Sequence, residues 1–559
     1  MNLMYRNFKG MLPRLDSHLL NGEYAELALD VNLWHGTVKP FREKKLCHAI
    51  RETTKSVFYD NCCWKEFDKC VNFTRLNTTC GRQVVTGLFS YPATACSDEC
   101  GPEWKRLGVP CPGEPLTVEV LDPVKDPSQC YSENLIDSID YARTNRTYVY
   151  TYVNSCCDEG PPSYPSDNVD VDDGGRVMLS GFNVPSAEYD IQSIRIYRLA
   201  SGFDQTNTSI EGVMIEEKNA LSEYFLVAEI YIGETAFIDT LMDYELGYAL
   251  ESQEFTEPPE NLQGVISVDG TQLAGFYDGN KVRFSMPNYP HVWHEADELT
   301  IPDNIQALVE WYSNVIVLTC NAIYMIEPIK DCKTVGCRQV HKTIEDYPMV
   351  SCCNGHGYTL TPKGVVYVST DGLILTDGKQ AQNITSPYFA PDDWKAMLPD
   401  RMSVAYHRDS VYFFSEDVAY VLQFPVSLAQ WENSVLIQLS DRPKWAFSEN
   451  EELFLVEDDG VYRWGMGDSY RPYVWRGKKE ISPTQVNFAG AKVSRYNTGD
   501  VKFKLFGDSY LIKEYDPQRT EKFRLPTGRR DIEFQMELSG TAEVYQVEVS
   551  TSYRELGTI

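Results

Sequence analysis

Sixteen cysteines and eight histidines are the side chains of this 559-residue sequence best suited to nucleophilic or metal chemistry. The cysteines fall in two groups, Cys47 to Cys157 and Cys320 to Cys353, with adjacent pairs at Cys62/Cys63, Cys156/Cys157 and Cys352/Cys353. A structural zinc site calls for Cys-x2-Cys pairs, whose two thiolates reach one tetrahedral ion. The nearest matches, Cys96-x3-Cys100 and Cys332-x4-Cys337, do not supply that spacing. The even count, with sequons at Asn72, Asn77, Asn145 and Asn383, would suit a secreted glycoprotein. The opening MNLMYRNFKG lacks the apolar stretch of a signal peptide, which argues for a soluble protein made in a cytoplasm. Buried free thiols acting as small hydrophobes are the expected state, and disulfides closed after release from the cell are the alternative.

The histidines do little to complete a catalytic set. His48 follows Cys47, and His356 lies just after Cys352 and Cys353. A thiol–imidazole nucleophile needs a third group to orient the ring, and no sequence neighbour provides one, so structural roles are expected. The chain has no phosphate-binding loop, no Gly-x-Ser-x-Gly elbow and no His-Glu-x-x-His. Asp170-Val-Asp172-Asp173-Gly174 superficially resembles a calcium loop, but the spacing and final glutamate are missing, and an acidic turn beside a strand is expected. Carboxylates are plentiful, yet nothing local marks out a glycosidase pair. The sequence therefore assigns no catalytic, cofactor-binding or metal-binding residue and no cofactor, and it predicts a protein that is not an enzyme.

The elements that would hold any site read as strands. Aromatics make up 12% of the chain, with 35 Tyr and 24 Phe among frequent Gly and Pro, a composition that favours β-structure. No apolar run approaches the ~20 residues of a membrane helix. Residues 1–140 read as an irregular, Cys-rich region, with the run from Tyr24 to Val31 open to a helix or a strand. Prolines from Pro92 to Pro123 forbid long helices there. Residues 141–257 alternate with period 2 in short strands such as Tyr148-Val-Tyr-Thr-Tyr-Val and Ile194-Arg-Ile-Tyr-Arg, which predicts a fibronectin III-like β-sandwich. Residues 258–476 repeat a few short strands and a turn at roughly 35–52 residue intervals, as a β-propeller of five to six degenerate blades would. The alternative is two sandwiches in series. Residues 477–559 read as a small C-terminal β-domain. The expected class is thus all-β and multidomain.

Formal charge restricts partners further. With 81 acidic against 51 basic residues the net charge is −30, a poor surface for gripping nucleic acid through counterion release. Such a chain can still surround DNA without adhering to it, because like charges repel within a Debye length of roughly 8–10 Å.

The order of local motifs resembles a family of virion structural proteins of short-tailed bacteriophages: tail nozzle (tail tubular protein B-like), head-completion or tail hub proteins. The likeness starts at Leu12-Pro-Arg-Leu, Ala25-Glu-Leu-Ala-Leu-Asp-Val-Asn and Gly36-Thr-Val-Lys-Pro, then Arg82-Gln-Val-Val-Thr-Gly and Leu107-Gly-Val-Pro-Cys-Pro. It continues through Glu159-Gly-Pro-Pro-Ser, Arg195-Ile-Tyr-Arg, Leu273-Ala-Gly-Phe, Val282-Arg-Phe-Ser, Pro290-His-Val-Trp and Thr370-Asp-Gly-Leu to Phe523-Arg-Leu-Pro-Thr-Gly-Arg. The cysteine load departs from the family's habit. The resemblance implies a homo-hexameric ring below a portal adaptor, with tail fibres at its side and a needle or plug beneath. Genomic DNA would pass through without sequence-specific binding, and the protein would reside in the virion after assembly in the host cytoplasm. It supplies no catalytic residues. Pro290-His291-Val292-Trp293 reads as a packing element, with Trp293 buried and His291 hydrogen-bonded. Rival readings are a receptor-binding or host-interaction tail protein and, further off, a propeller glycosidase.

Overall fold

A computed structural model describes residues 2–77, 81–96, 100–122, 143–172, 174–201, 222–328, 338–345, 347–350, 356–424, 434–496 and 499–557. The chain is all-β: among the described residues the only α-helix is Pro391–Ala396, and no helix is long and apolar enough to cross a membrane. Two compact units form. One comprises Met1–Cys70, Asp303–Glu327 and Val340–Ile559, and the other Val71–Pro302 with Pro328–Gln339.

The first unit contains consecutive four-stranded antiparallel sheets of propeller-blade form. One is built on Ile305–Trp311, Asn314–Thr319 and Ala322–Pro328; the next is Tyr358–Thr361, Gly364–Ser369, Gly372–Thr376 and Ala381–Asn383. Ser403–His407, Ser410–Phe414, Ala419–Gln423 and Val435–Gln438 repeat the antiparallel order, here as one end of a ten-stranded sheet. Period-2 alternation explains why they stack face to face. Val365 and Tyr367 pack on Ala307, Val309 and Ile316 of the preceding sheet. Val366 and Val368 point the other way, onto Val404, Val411 and Phe413 of the following one. A fourth sheet, Trp445–Glu449, Glu452–Val456 and Gly460–Arg463, takes its outer strand from far upstream: Lys45–Ala49 pairs with it, Val461 opposite His48. Gly460 is required there, because a Cβ would meet the Leu46 side chain at 2.4 Å and the His48 carbonyl at 2.7 Å.

Both chain ends are sewn into a terminal sandwich. Asn2–Tyr5 pairs with Val544–Ser550, and Ala25–Leu29 pairs with Tyr473–Gly477 while touching Val435–Gln438 in parallel at Leu29/Gln438. Tyr5, Phe8, Trp475, Phe503, Phe534 and Leu538 fill the core. Fully buried Trp475 takes Tyr5 and Phe8 edge-on at 5.7 and 4.9 Å and donates its indole N–H to the Lys9 carbonyl at 3.1 Å. Buried Arg471 ties the N-terminal segment down through Asp30 and Glu43, both at 3.3 Å, and through Asp441.

The N-terminal region expected to be irregular is therefore strand-built, and the run from Tyr24 is the strand Ala25–Leu29. Its partners lie hundreds of residues away, so no local hairpin pattern announces it. The terminal β-domain likewise begins before residue 477, at strand Tyr473–Gly477, and includes N-terminal strands.

The second unit holds the sandwich. Thr117–Val120, Val177–Ser180 and Ala236–Asp239 form one sheet; Tyr148–Asn154, Ile191–Ser201 and Ser222–Tyr231 form the other. Tyr148, Tyr150, Tyr152, Leu179, Ile194 and Ile196 lie between them. At its heart Asp239 meets Arg198 at 2.6 Å and Arg146 at 3.8 Å and accepts from the Tyr148 hydroxyl at 2.8 Å. Two more four-stranded sheets belong to this unit: Asn72–Arg75, Gln83–Thr86, Ala93–Ala95 and Lys105–Arg106, and then Gln263–Val268, Gln272–Tyr277, Lys281–Phe284 and Glu298–Thr300. They pack through Leu76, Val84, Leu262, Val265, Leu273 and Trp293. The first of them escapes the sequence repeat because the sandwich interrupts the chain between the two.

The cysteines correct the expectation of buried free thiols. Cys96 and Cys156 form a disulfide with Cα atoms 5.7 Å apart, joining the end of strand Ala93–Ala95 to the loop after Tyr148–Asn154. Cys63 and Cys100 are also disulfide-bonded. Cys47, Cys62, Cys111 and Cys157 are exposed thiols. They sit on an outer strand, in turns and in loops. Cys332, Cys337, Cys352 and Cys353 lie outside the described residues.

Candidate functional site

The first strands of three consecutive sheets differ from the strands behind them. Gly364–Ser369 and Ser410–Phe414 are buried along their whole length, whereas Tyr358–Thr361, Ser403–His407 and Trp445–Glu449 keep partly exposed residues. Those residues line open space. A cavity of about 690 Å³ lies along all three strands. Two hairpin turns bound it, Arg408–Asp409 with φ of 46° and 56° and Asn450–Glu451 with φ of 51° and 62°. Consecutive positive φ values are the signature of tight two-residue turns whose twist matches that of the strands.

This cavity is acidic. Asp409, Glu449 and Glu451 face Arg408 alone among the charged lining residues. Glu449 is exposed at the end of its strand, and partial burial of its carboxyl, with the Asp60 carboxylate nearby, shifts it above its usual range. The Tyr406 hydroxyl donates to Asp409 at 3.2 Å, and burial followed by Asp409 raises its pKa. A second cavity of about 670 Å³ is lined by Asp400 and Glu416 against Arg401, Arg442 and Lys444, so its balance is basic.

His356 borders both cavities. Its ring is stacked on Trp445, 5.6 Å between centroids and 6° from parallel, and its Nε2 has no partner. Burial lowers its pKa to about 4. His407 is lowered to about 4 as well, by burial and then by Arg408, and its Nδ1 is buried without a partner. Both rings are neutral at pH 7.

The residues singled out in the sequence do not converge here. His48 is stacked on Trp64 at 5.3 Å and bonded to Glu66 at 2.7 Å, while the Cys47 thiol donates to the Lys45 carbonyl at 3.5 Å. Neighbours on one strand point to opposite faces, so these two form no dyad. Asp170 and Asp172 sit on strand Val169–Asp172, which pairs with Arg143–Arg146; Asp173 lies outside the described residues. His291 contacts Asp158 at 3.1 Å and the Glu159 carbonyl at 3.1 Å, while fully buried Trp293 donates to the Pro290 carbonyl at 2.9 Å. Among the described residues no group of three or more His, Cys, Asp or Glu is placed to hold a metal ion. Sequence reading passed over Tyr406, His407, Asp409 and Glu449. The clue available was the pair of polar dipeptides, Arg408-Asp409 and Asn450-Glu451, each ending a first strand.

No protein-family model matches this chain, and no curated protein matches it. Solved structures with some likeness include Hsv2 from Kluyvelomyces marxianus, at 10% identity, TM-score 0.26, covering 63% of this chain and 95% of that one. Another is an exo-β-1,3-galactanase from Phanerochaete chrysosporium with β-1,3-galactotriose, at 6% identity, TM-score 0.19, covering 53% of this chain and 98% of that one.

Proposed function

We propose that this chain is a structural subunit of the tail nozzle or hub of a short-tailed phage, a wall element of the channel through which DNA leaves, and not an enzyme. The observation that carries this reading is the locking of the chain ends. Asn2–Tyr5, Ala25–Leu29 and Lys45–Ala49 are each zipped into sheets completed by residues 435–550. Pulling an end free means breaking a ladder of backbone hydrogen bonds together, which suits a wall under pressure. The order of motifs resembling the nozzle family and the net charge of −30 support the same role. Copies of this chain would form a hexameric ring through head-to-tail contacts. The ring would sit under the portal adaptor and bear fibres and a needle or plug, with DNA sliding past. Particles assembled without this chain should package DNA but fail to deliver it. Full infectivity of such particles would refute the role.

A second reading, a host-interaction protein, is favoured by the exposed Tyr164, Tyr231, Tyr244 and Tyr248 of the sandwich unit. Exposed tyrosines are good contact residues for glycans and proteins. Specific hits on a glycan array would support it.

A further inference from the structure

We propose that this chain docks onto a second copy of itself through two different surfaces. The acidic, tyrosine-bearing margin of the sandwich in the second unit meets the basic outer strand of the terminal sandwich in the first unit of the next copy. The inference deepens the head-to-tail assembly proposed above and rests on it.

The two surfaces are opposite in charge within one acidic chain. Residues 222–260 hold ten Asp or Glu and no Lys or Arg, whereas residues 502–530 hold eight Lys or Arg against four Asp or Glu. Folding leaves part of each excess unanswered. Arg198 takes up Asp239 and Asp243, and Arg195 takes up Glu229. Glu223, Glu234, Glu251 and Glu254 are exposed, with no ion pair among the described residues. On the basic surface Lys502 is paired with Glu514 and Arg529 with Asp531, but Lys513 and Arg530 have no ion pair among the described residues.

Each surface also offers an outer strand margin with exposed apolar side chains. Tyr510–Tyr515 is the last strand of the ten-stranded sheet and pairs only with Val501–Gly507. Tyr510, 66% exposed, and Leu511 stand on it. Exposed Ile532 lies alongside, its N–H donating at 3.1 Å to Asp508 in the turn before Tyr510. On the acidic surface residues 247–250 run beside strand Ser222–Tyr231. The Leu226 N–H donates to the Tyr248 carbonyl at 2.9 Å, and the Leu250 N–H to the Tyr224 carbonyl at 2.8 Å. Tyr231, Tyr248 and Tyr244, the last 79% exposed, face solvent there. Outer strands are templates for another chain, and exposed aromatic rings are favoured contact residues.

Charge decides which margin meets which. Either surface set against its own copy brings like charges together, so a two-fold contact is repulsive. Acidic against basic is attractive, and it is heterologous, the kind of contact that closes rings. A neutral glycan would use the tyrosines and leave the carboxylates unanswered.

The test is sedimentation velocity of the full chain at rising concentration, in about 50 mM and about 500 mM salt. We expect reversible association that salt weakens. Glu251→Lys with Glu254→Lys reverses the acidic surface, and Lys513→Glu with Arg530→Glu reverses the basic one. Each double variant alone should associate about tenfold more weakly or less. Mixed in equal amounts they should pair, because one unaltered contact remains, and that recovery shows that both variants are folded. Glu52→Lys with Asp68→Lys, at exposed positions elsewhere, changes the net charge equally and should leave association as it was. A wild-type chain that stays monomeric up to about 100 μM, near 5.5 kcal/mol of affinity, overturns the proposal and leaves the two surfaces to other partners. Association that salt strengthens, or that survives in both reversed variants, overturns this pairing of surfaces while the ring itself stands.

Discussion

Replacing Asp158 by alanine removes the centre of a buried polar knot. Its carboxylate accepts two bonds from Arg82, one from the Nη1 group at 2.7 Å and a shorter one from Nη2; it also accepts from the Asn154 amide at 3.1 Å and contacts His291 Nδ1 at 3.1 Å. Arg82, Asp158 and His291 are all buried. Burial alone would raise the Asp158 pKa, but Arg82 and His291 outweigh it and hold the group well below its usual range. A buried guanidinium left without its counter-ion costs roughly 3–5 kcal/mol. The variant should therefore raise the opening of strand Gln83–Thr86 by roughly two to three and a half powers of ten, since about 1.4 kcal/mol is one power. Hydrogen exchange read by mass spectrometry on peptides spanning 82–95 and 148–160 measures this directly. The paired replacement Arg82→Met with Asp158→Leu should cost less than Asp158→Ala alone, because no charge is stranded. Because the folded pKa is depressed, the knot's contribution is present above the unfolded value of about 3.8 and fades as pH falls below it. Asp158→Ala should flatten that acid limb. A change of under about 0.5 kcal/mol in Asp158→Ala, or a double replacement worse than the single, would refute the account of the knot.

The other predictions concern staples, packing and pH. Cys96→Ser should destabilise the second unit by up to about 4 kcal/mol, the chain-entropy value for a separation of 60 residues, read by urea unfolding with and without reductant. Trp475→Ala should cost roughly 3–5 kcal/mol in the terminal sandwich, with the melting temperature as the readout. His356 and His407 have folded pKa values lowered to about 4 from 6.5, so the unfolded chain binds more protons between those values. Stability should be fully present above pH 6.5 and decline as pH falls toward 4, and His407→Gln should flatten this decline in pH-dependent melting.

What the sequence made legible was local. Tyr148-Val-Tyr-Thr-Tyr-Val alternates, and it became a strand of a sandwich sheet, an outer one buried along its whole length, because a period of 2 reports an extended ribbon without reference to any partner. The recurring units after residue 260 announced themselves in the same way. Strand Lys45–Ala49 shows every side chain at least partly exposed and no apolar alternation, so only its distant partner Gly460–Arg463 defines it. The disulfide between Cys96 and Cys156 was likewise hidden, because spacing does not encode pairing. The acidic cavity lay beyond reach for a related reason. Tyr358, Tyr406 and Glu449 come from different sheets and meet only when first strands are set side by side.

The account's central claim is that this chain walls the DNA exit channel of a virion. A cryo-electron micrograph reconstruction of the intact particle, with this chain tagged at its C-terminus, tests it most directly. The account predicts tag density repeated symmetrically in a ring about the tail axis, with six-fold symmetry and β-rich subunits flanking the duplex. Tag density confined to peripheral fibres or to the capsid shell, or absent from the particle, would contradict it.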